Sequence, residues 1–213
     1  MEQRAYVYED RARPDILRMI PPDGTVIGTV GCGTAATEAV LVQQGRVVHG
    51  VDVAAQAIQK AKTRLTSARV VAADDRAVFP DASLDGLILA DVIEHMPLAW
   101  ESLAAYTKAV RPGGWVVISV PNMRNLKVLS RFIIGGDWPE EPTGIFDATH
   151  LQVMSKRRLV RWCSRAGLRI EKWYDLYLSN RWKRTTLQVL DALTLRLAHT
   201  WWLMELQLQA RKQ

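Results

Sequence analysis

Three sets of residues in this chain have types and spacing that could do chemistry, and each set follows a short apolar run. The first is Gly31-Cys32-Gly33-Thr34, where the run from Thr25 to Val30 breaks off. Two glycines there let bare backbone approach a ligand, and the amides of a helix opening behind them would point at it. The second is a series of acids: Asp52, with Val53 beside it, then Asp74 or its neighbour Asp75, then Asp91. Asp52 stands at the end of the second strand, where a carboxylate can accept both hydroxyls of a ribose. The third is a pair of histidines, His95 in Glu94-His95-Met96 and His150 in Asp147-Ala148-Thr149-His150. An imidazole has the pKa for removing a proton from a hydroxyl near neutral pH.

Alternating elements must position these groups. Runs rich in Val and Ile at 25–30, 46–51, 69–73, 84–90 and 115–120 read as strands buried on both faces. Helical stretches at 34–44, 54–66 and 97–110 separate them. That alternation implies parallel strands joined by right-handed crossovers. Ser155 is the expected N-cap of a helix reaching Ala166, with Gly167 as its stop. A strand at 168–177, a helix at 182–199 and an alternating strand at 203–210 complete the chain. The expected architecture is a single α/β domain over residues 1–213, a doubly wound, mostly parallel seven-stranded sheet with an antiparallel last strand. Residues 121–154, rich in Pro, Gly and Asn, form an insert after the fifth strand, at the edge where open α/β sheets bind ligands.

The glycine loop alone leaves two cofactors open. Gly31-x-Gly33-x-x-Ala36 followed by Asp52 fits a dinucleotide fingerprint, which would make the chain an NAD(P)-binding protein. Additional residues favour another reading. Gly31-Cys32-Gly33-Thr34, Asp52, Asp74, "ADVIEHM" (90–96) and "RPGG" (111–114) together resemble the class I S-adenosylmethionine-dependent methyltransferases, over roughly residues 20–175. "VPNMRN" followed by "GIFDATHLQVMSKRRL" is similar to a bacterial subgroup acting on small molecules and glycans.

The resemblance implies roles residue by residue. Gly31, Cys32 and Gly33 would pass beneath the methionine part of S-adenosylmethionine, and Asp52 with Val53 would meet the ribose. Asp74, or Asp75, would take the adenine amino group, and Asp91 would sit beside the sulfonium. Thr29 is a departure, since the family usually has an acid there; Ala35 is another, standing where glycine is common and tolerable only at negative φ. His150 is the first candidate base and His95 the second, although a loop histidine bonded to backbone or to Asp147 would look the same. Asn122, Trp138 and Asp147 fall on the acceptor side; Asn122 could equally cap a turn, and Trp138 could anchor the loop. The implied reaction is O-methylation of a sugar or other small polar metabolite, with a non-catalytic cofactor-binding relative as the alternative.

Charge is uneven. Residues 155–213 hold 13 Lys or Arg against 4 acids, while the remainder holds 15 against 18. A basic C-terminal region suits an anionic, phosphate-bearing acceptor or peripheral contact with a membrane, aided by Trp201-Trp202. Nucleic acid is not an expected partner, and no metal ligands stand out by spacing. The charged N-terminus and the lack of a long apolar run lead to the expectation of a cytoplasmic protein. Cys32 and Cys163 read as reduced thiols.

Overall fold

The structure, a computed structural model, describes residues 10–177 and 199–213. Seven strands form one sheet: β1 Val26–Val30, β2 Val47–Asp52, β3 Ser67–Val70, β4 Leu84–Ala90, β5 Val110–Pro121, β6 Leu168–Tyr177 and β7 Leu203–Lys212. Their order is β3-β2-β1-β4-β5-β7-β6. Neighbours from β3 to β5 pair in parallel, and β7 runs antiparallel between β5 and β6. The helices are α1 Pro14–Leu17, α2 Glu38–Gln43, α3 Ala55–Ala61, α4 Ala99–Lys108, α5 Leu126–Gly135, α6 Lys156–Arg165 and α7 His199–Trp202. This is the doubly wound sheet that the alternation of runs implies.

The strand sequences are apolar on both sides because both faces are covered. Leu87 and Leu89 of β4, with Val116, Ile118 and Val120 of β5, pack under Leu103 and Tyr106 of α4 and Leu159, Trp162 and Cys163 of α6. Ile88, Trp115 and Val117 project to the opposite face, against Ile16 of α1, Leu41 of α2 and Ile58 of α3. The period of two along each strand thus assigns each residue its layer. The order reverses between β1 and β4, which opens a crevice beyond their carboxyl ends. The glycine loop leaves β1 at that crevice, and Asp91 leaves β4.

Several boundaries differ from the sequence expectation. The glycine loop does not open directly into a helix: α2 starts only at Glu38, after an irregular turn. Ala35 lies in that turn at φ +57, so the condition of a negative φ is not met and the position is strained. β5 begins at Val110, the last residue of the helical stretch expected over 97–110, and takes in Arg111-Pro112-Gly113-Gly114. Within 121–154 the structure contains α5, capped by Asn125, whose Oδ1 accepts from the Lys127 amide at 3.0 Å, and stopped by left-handed Gly136. Its pattern was obscured because Val128 alone is buried while Phe132, Ile133 and Ile134 face outward. The helix expected over 182–199 lies almost wholly outside the described residues.

Gly86 of β4 pairs in register with Trp115 of β5, and the fully buried indole crosses over it to donate from Nε1 to the Asp23 carbonyl at 2.9 Å. A Cβ on residue 86 would fall 2.2 Å from that ring. Gly86→Ala is therefore expected to destabilise the fold by about 1–3 kcal/mol through overpacking. Urea denaturation measures this, and an unchanged midpoint would mean that the ring yields freely.

Candidate cofactor and acceptor site

The glycine loop spends its amides internally. Gly31 and Cys32 both donate to the Val51 carbonyl, at 2.8 and 3.1 Å, and Gly33 donates to Asp52 Oδ2 at 2.8 Å. Asp52 is 3% exposed and also accepts from the Ala54 amide at 2.9 Å. Three consecutive donors are thus committed to β2 and its end. A pyrophosphate needs such donors free, so the loop's hydrogen bonding argues against the dinucleotide reading. The expected picture of amides aimed at a ligand is corrected accordingly. Gly31 and Gly33 do adopt positive φ, +70 and +51, and a Cβ at Gly31 would meet Val92 Cγ2 at 2.4 Å. Cys32 turns its thiol into the core, where burial pushes its pKa up, so it reaches the site through backbone only.

A cavity of about 120 Å³ lies against this loop, walled by Gly31, Gly33, Thr34, Glu38 and Ala90 and by Arg11 and Arg13 from the N-terminal segment. That segment is strapped across the loop. Asp10 accepts from Thr34 Oγ1 at 2.8 Å and pairs with Arg64, while the Arg13 amide donates to Thr37 Oγ1 at 3.1 Å. The Arg13 guanidinium pairs with Asp91, with Asp15 at 2.6 Å and with Glu205 of β7 at 2.9 Å. Ser119 Oγ lies 3.1 Å from Asp91 Oδ1 and 2.5 Å from Glu205 Oε2. Burial and the Asp91 charge push Glu205 up to about 7. Asp91 itself sits at φ +53, a conformation side chains rarely hold without support.

The other expected cofactor residues are divided. Val53 is exposed beside Asp52, as an apolar platform would be. Asp75 spends its Oδ1 on the Ala77 amide at 3.0 Å, in its own turn, whereas Asp74 is exposed. Thr29, 1% exposed, donates from Oγ1 to Glu38 Oε1 at 2.9 Å.

On the acceptor side the two histidines meet. Their ring centroids are 4.7 Å apart. His150 places Nδ1 3.2 Å from the Ile145 carbonyl, which requires a proton on Nδ1 and makes Nε2 the basic nitrogen. His95 Nδ1 faces the Thr149 carbonyl at 3.3 Å and Thr149 Oγ1 at 2.9 Å. Thr149 in turn donates to Asp147 Oδ1 at 2.6 Å, so Asp147 acts by orienting this chain of bonds. Burial first, and then the neighbouring His150, lower the His95 pKa and hold the ring neutral. Glu94 is wholly buried, and neither carboxylate oxygen has a hydrogen-bond donor among the described residues. Glu94, His95 and His150 bring one ligand atom each within 4.8 Å of one another, a grouping that spacing in the sequence did not reveal.

Asn122 does not face an acceptor. It is fully buried, donates to the Thr200 and Leu203 carbonyls at 2.6 and 2.9 Å, and accepts from the Arg124 amide, which realises the turn-capping alternative. Trp138 packs edge-on against Phe146 and Phe132, with centroids at 5.2 and 6.0 Å, and remains partly open to solvent. Three of the five cations of α6 are stacked on aromatic rings: Lys156 on Trp173, Arg158 on Trp162 and Arg165 on Trp100. None of them lines the cavity. Of the 13 Lys or Arg in the basic region expected to meet anions or a membrane, Arg181, Lys183, Arg184 and Arg196 lie outside the described residues. No helix among the described residues is long and apolar enough to cross a membrane.

Residues 4–172 match the family described as a methyltransferase domain. The chain belongs to that family. Two relatives named ubiquinone biosynthesis O-methyltransferase, from Leptothrix cholodnii and Thiobacillus denitrificans, are 30% and 28% identical to this methyltransferase-domain chain. The matches cover 68% and 71% of this chain and 65% and 68% of the relatives. The chain therefore spans just under two thirds of the Leptothrix protein. An S-adenosylmethionine-dependent methyltransferase from Archaeoglobus fulgidus superposes with a TM-score of 0.62 at 20% identity, over 88% of this chain and 86% of that one, which places the two in one fold.

S-adenosylmethionine is the cofactor of this family, and the cavity fits one end of it. The methionine part is a zwitterion, and the walls offer guanidinium groups from Arg11 and Arg13 and a carboxylate from Glu38. Sequence reading missed Arg13 because its partner Asp91 is 78 positions away, and Glu38 because it lies outside the motif. The signal for Glu38 was Thr29 itself, whose missing charge calls for an acid nearby.

Asp52 now has a second duty. Asp52→Ala is expected to leave the buried Gly33 amide without its acceptor, lowering stability by about 1–3 kcal/mol. Chemical denaturation of the ligand-free protein checks this; an unaltered midpoint would restrict Asp52 to cofactor binding.

Proposed function

We propose that this chain transfers the methyl group of S-adenosylmethionine to a hydroxyl oxygen of a small molecule with a flat, apolar acceptor end. The carrying observation is the His95–His150 pair, with Nδ1 of each ring held by a carbonyl on the insert. S-adenosylmethionine supplies a methyl group already activated on a sulfonium. The protein's share is to align the acceptor, exclude water and take a proton. His150 Nε2 is the proposed base, with His95 beside it keeping a neutral face toward the acceptor. Asp52 with Val53 is assigned to the ribose, Asp74 to the adenine amino group and Asp91 to the neighbourhood of the sulfonium.

The relatives' names support an oxygen acceptor and point toward ubiquinone biosynthesis, away from the sugar or phosphorylated metabolite expected from sequence. The insert that carries His150 also carries the packed rings of Phe132, Trp138 and Phe146, with Trp138 partly open to solvent, which is consistent with the same change.

Glu94 favours a second reading of the same reaction. A buried carboxylate without a donor must be protonated or meet a cation, and its pKa is raised well above the usual range by burial and by Asp91. A divalent cation on Glu94, His95 and His150 would lower the pKa of the acceptor hydroxyl directly.

Turnover with labelled cofactor and a panel of phenolic, sugar and phosphorylated acceptors tests both readings. His150→Ala is expected to lower turnover by ~10²-fold or more with S-adenosylhomocysteine affinity near wild type, and His95→Ala to do less. Insensitivity to a chelator assigns the role to the base. Loss on chelation, restored by magnesium, manganese or zinc, assigns it to the cation. Near-normal turnover in both histidine variants would remove the pair from the mechanism.

A further inference from the structure

Glu38 is a buried acid that nothing in the proposed reaction uses. The residue is 6% exposed and lines the cavity beside Gly31 and Gly33, and its carboxylate accepts from the Thr29 hydroxyl at 2.9 Å. No cation pairs with it among the described residues. The charged or titratable groups facing it are Cys32 of the glycine loop and Asp52 of β2, with Arg11 and Arg13 on the strap across the cavity. Of the two arginines, Arg11 is placed for an anionic group, whereas Arg13 is already held by Asp15, Asp91 and Glu205. An uncompensated carboxylate on the other wall is a receptor for a cationic one.

The position is equally telling. Family resemblance places an acid at residue 29, where this chain has threonine, and the threonine hydroxyl donates to Glu38. The negative charge has moved from the end of β1 to the first turn of α2, and Thr29 serves as the hydrogen bond that aims it. We propose that Glu38, oriented by Thr29, binds the ammonium of the methionine part of S-adenosylmethionine and so replaces the missing acid. The assignment rests on S-adenosylmethionine as cofactor and concerns only its amino acid end.

Two consequences separate this role from a structural one. Burial, aided slightly by Asp52, pushes the Glu38 pKa up to about 7. An acid whose pKa is raised in the folded state weakens the fold as pH rises from its ordinary value toward the raised one. A neutral isostere should therefore stabilise the ligand-free protein at pH 8, whereas removal of a structural hydrogen bond should destabilise it. An ammonium ligand also needs Glu38 ionised, so affinity for it should climb between pH 6 and 8.

The test compares S-adenosylhomocysteine with 5′-methylthioadenosine, which carries the same nucleoside without the amino acid, by calorimetry and melting. Glu38→Gln is expected to weaken S-adenosylhomocysteine by about 10- to 100-fold, leave 5′-methylthioadenosine unchanged and raise the ligand-free melting temperature at pH 8. Adding Thr29→Asp to Glu38→Gln should recover most of the affinity. In the wild type, which requires no variant to fold, the preference for S-adenosylhomocysteine over 5′-methylthioadenosine should grow from pH 6 to 8. A pH-independent preference, or equal loss of both ligands in Glu38→Gln, overturns the assignment. Failure of the wild type to bind either ligand overturns the cofactor reading itself and Glu38's role with it.

Discussion

The Arg13 guanidinium ties three parts of the chain that are remote in sequence: Asp15 on the N-terminal strap, Asp91 beyond β4 and Glu205 on β7. Without that cation the end of β4 would present two partly buried carboxylates to each other across Ser119, with only the Ser119 hydroxyl and the Gln207 amide, which donates to Glu205 at 2.9 Å, to offset their repulsion. The pairing also supports Asp91 in its left-handed conformation, from which the chain turns into Glu94 and His95. One ion-pair cluster thus joins the N-terminal strap, the turn after β4 and the antiparallel strand β7.

Electrostatics also explain why this loop suits a sulfonium better than a phosphate. Gly31, Cys32 and Gly33 give their amides to Val51 and Asp52. What remains at the crevice is side-chain charge of both signs: Glu38 on α2, and Arg11 and Arg13 from the strap, with Arg13 paired to Asp91 beyond β4. Both dinucleotide and methyl-donor proteins place glycines after the first strand, so the glycines alone cannot discriminate. The destination of the amides can, because a donor already used in a buried bond is expensive to redirect.

The sheet was readable from sequence because each strand's composition follows from burial on both faces, and the strand order follows from crossover rules. The placement of the glycine loop, Asp52 and Asp91 after β1, β2 and β4 was readable because it is fixed by the strands that precede them; what each binds is a proposal. What escaped has a common physical cause. Ala35 at positive φ, the late start of α2 and the Thr29–Glu38 pair are outcomes of one local packing arrangement that no residue type announces. Asn122 carries the same ambiguity, since an amide that caps a turn and one that binds a ligand use identical atoms. The Glu94–His95–His150 cluster joins residues some 55 positions apart, through the Leu151 and Gln152 amides donating to the Glu94 carbonyl at 2.9 and 3.0 Å. Pairing across such a span is set by the insert's path, and that path depended on α5, whose outward apolar residues hid its period.

The buried acids give the site a direction. Glu38 and Glu205 are both pushed up to about 7, with burial the largest cause in each case. Each therefore costs stability increasingly as pH rises from about 4.5 toward 7. The surface acids paired with arginine, such as Asp10 with Arg64 and Asp85 with Arg111, titrate well below that window and leave it unaffected. A fold selected for stability alone would fill such positions with neutral groups. Retaining carboxylates there makes sense when the ligand is a cation, because its binding returns the energy that desolvation took. On the reading proposed above, the Glu38 charge that weakens the ligand-free protein is the one whose desolvation a bound ammonium would offset.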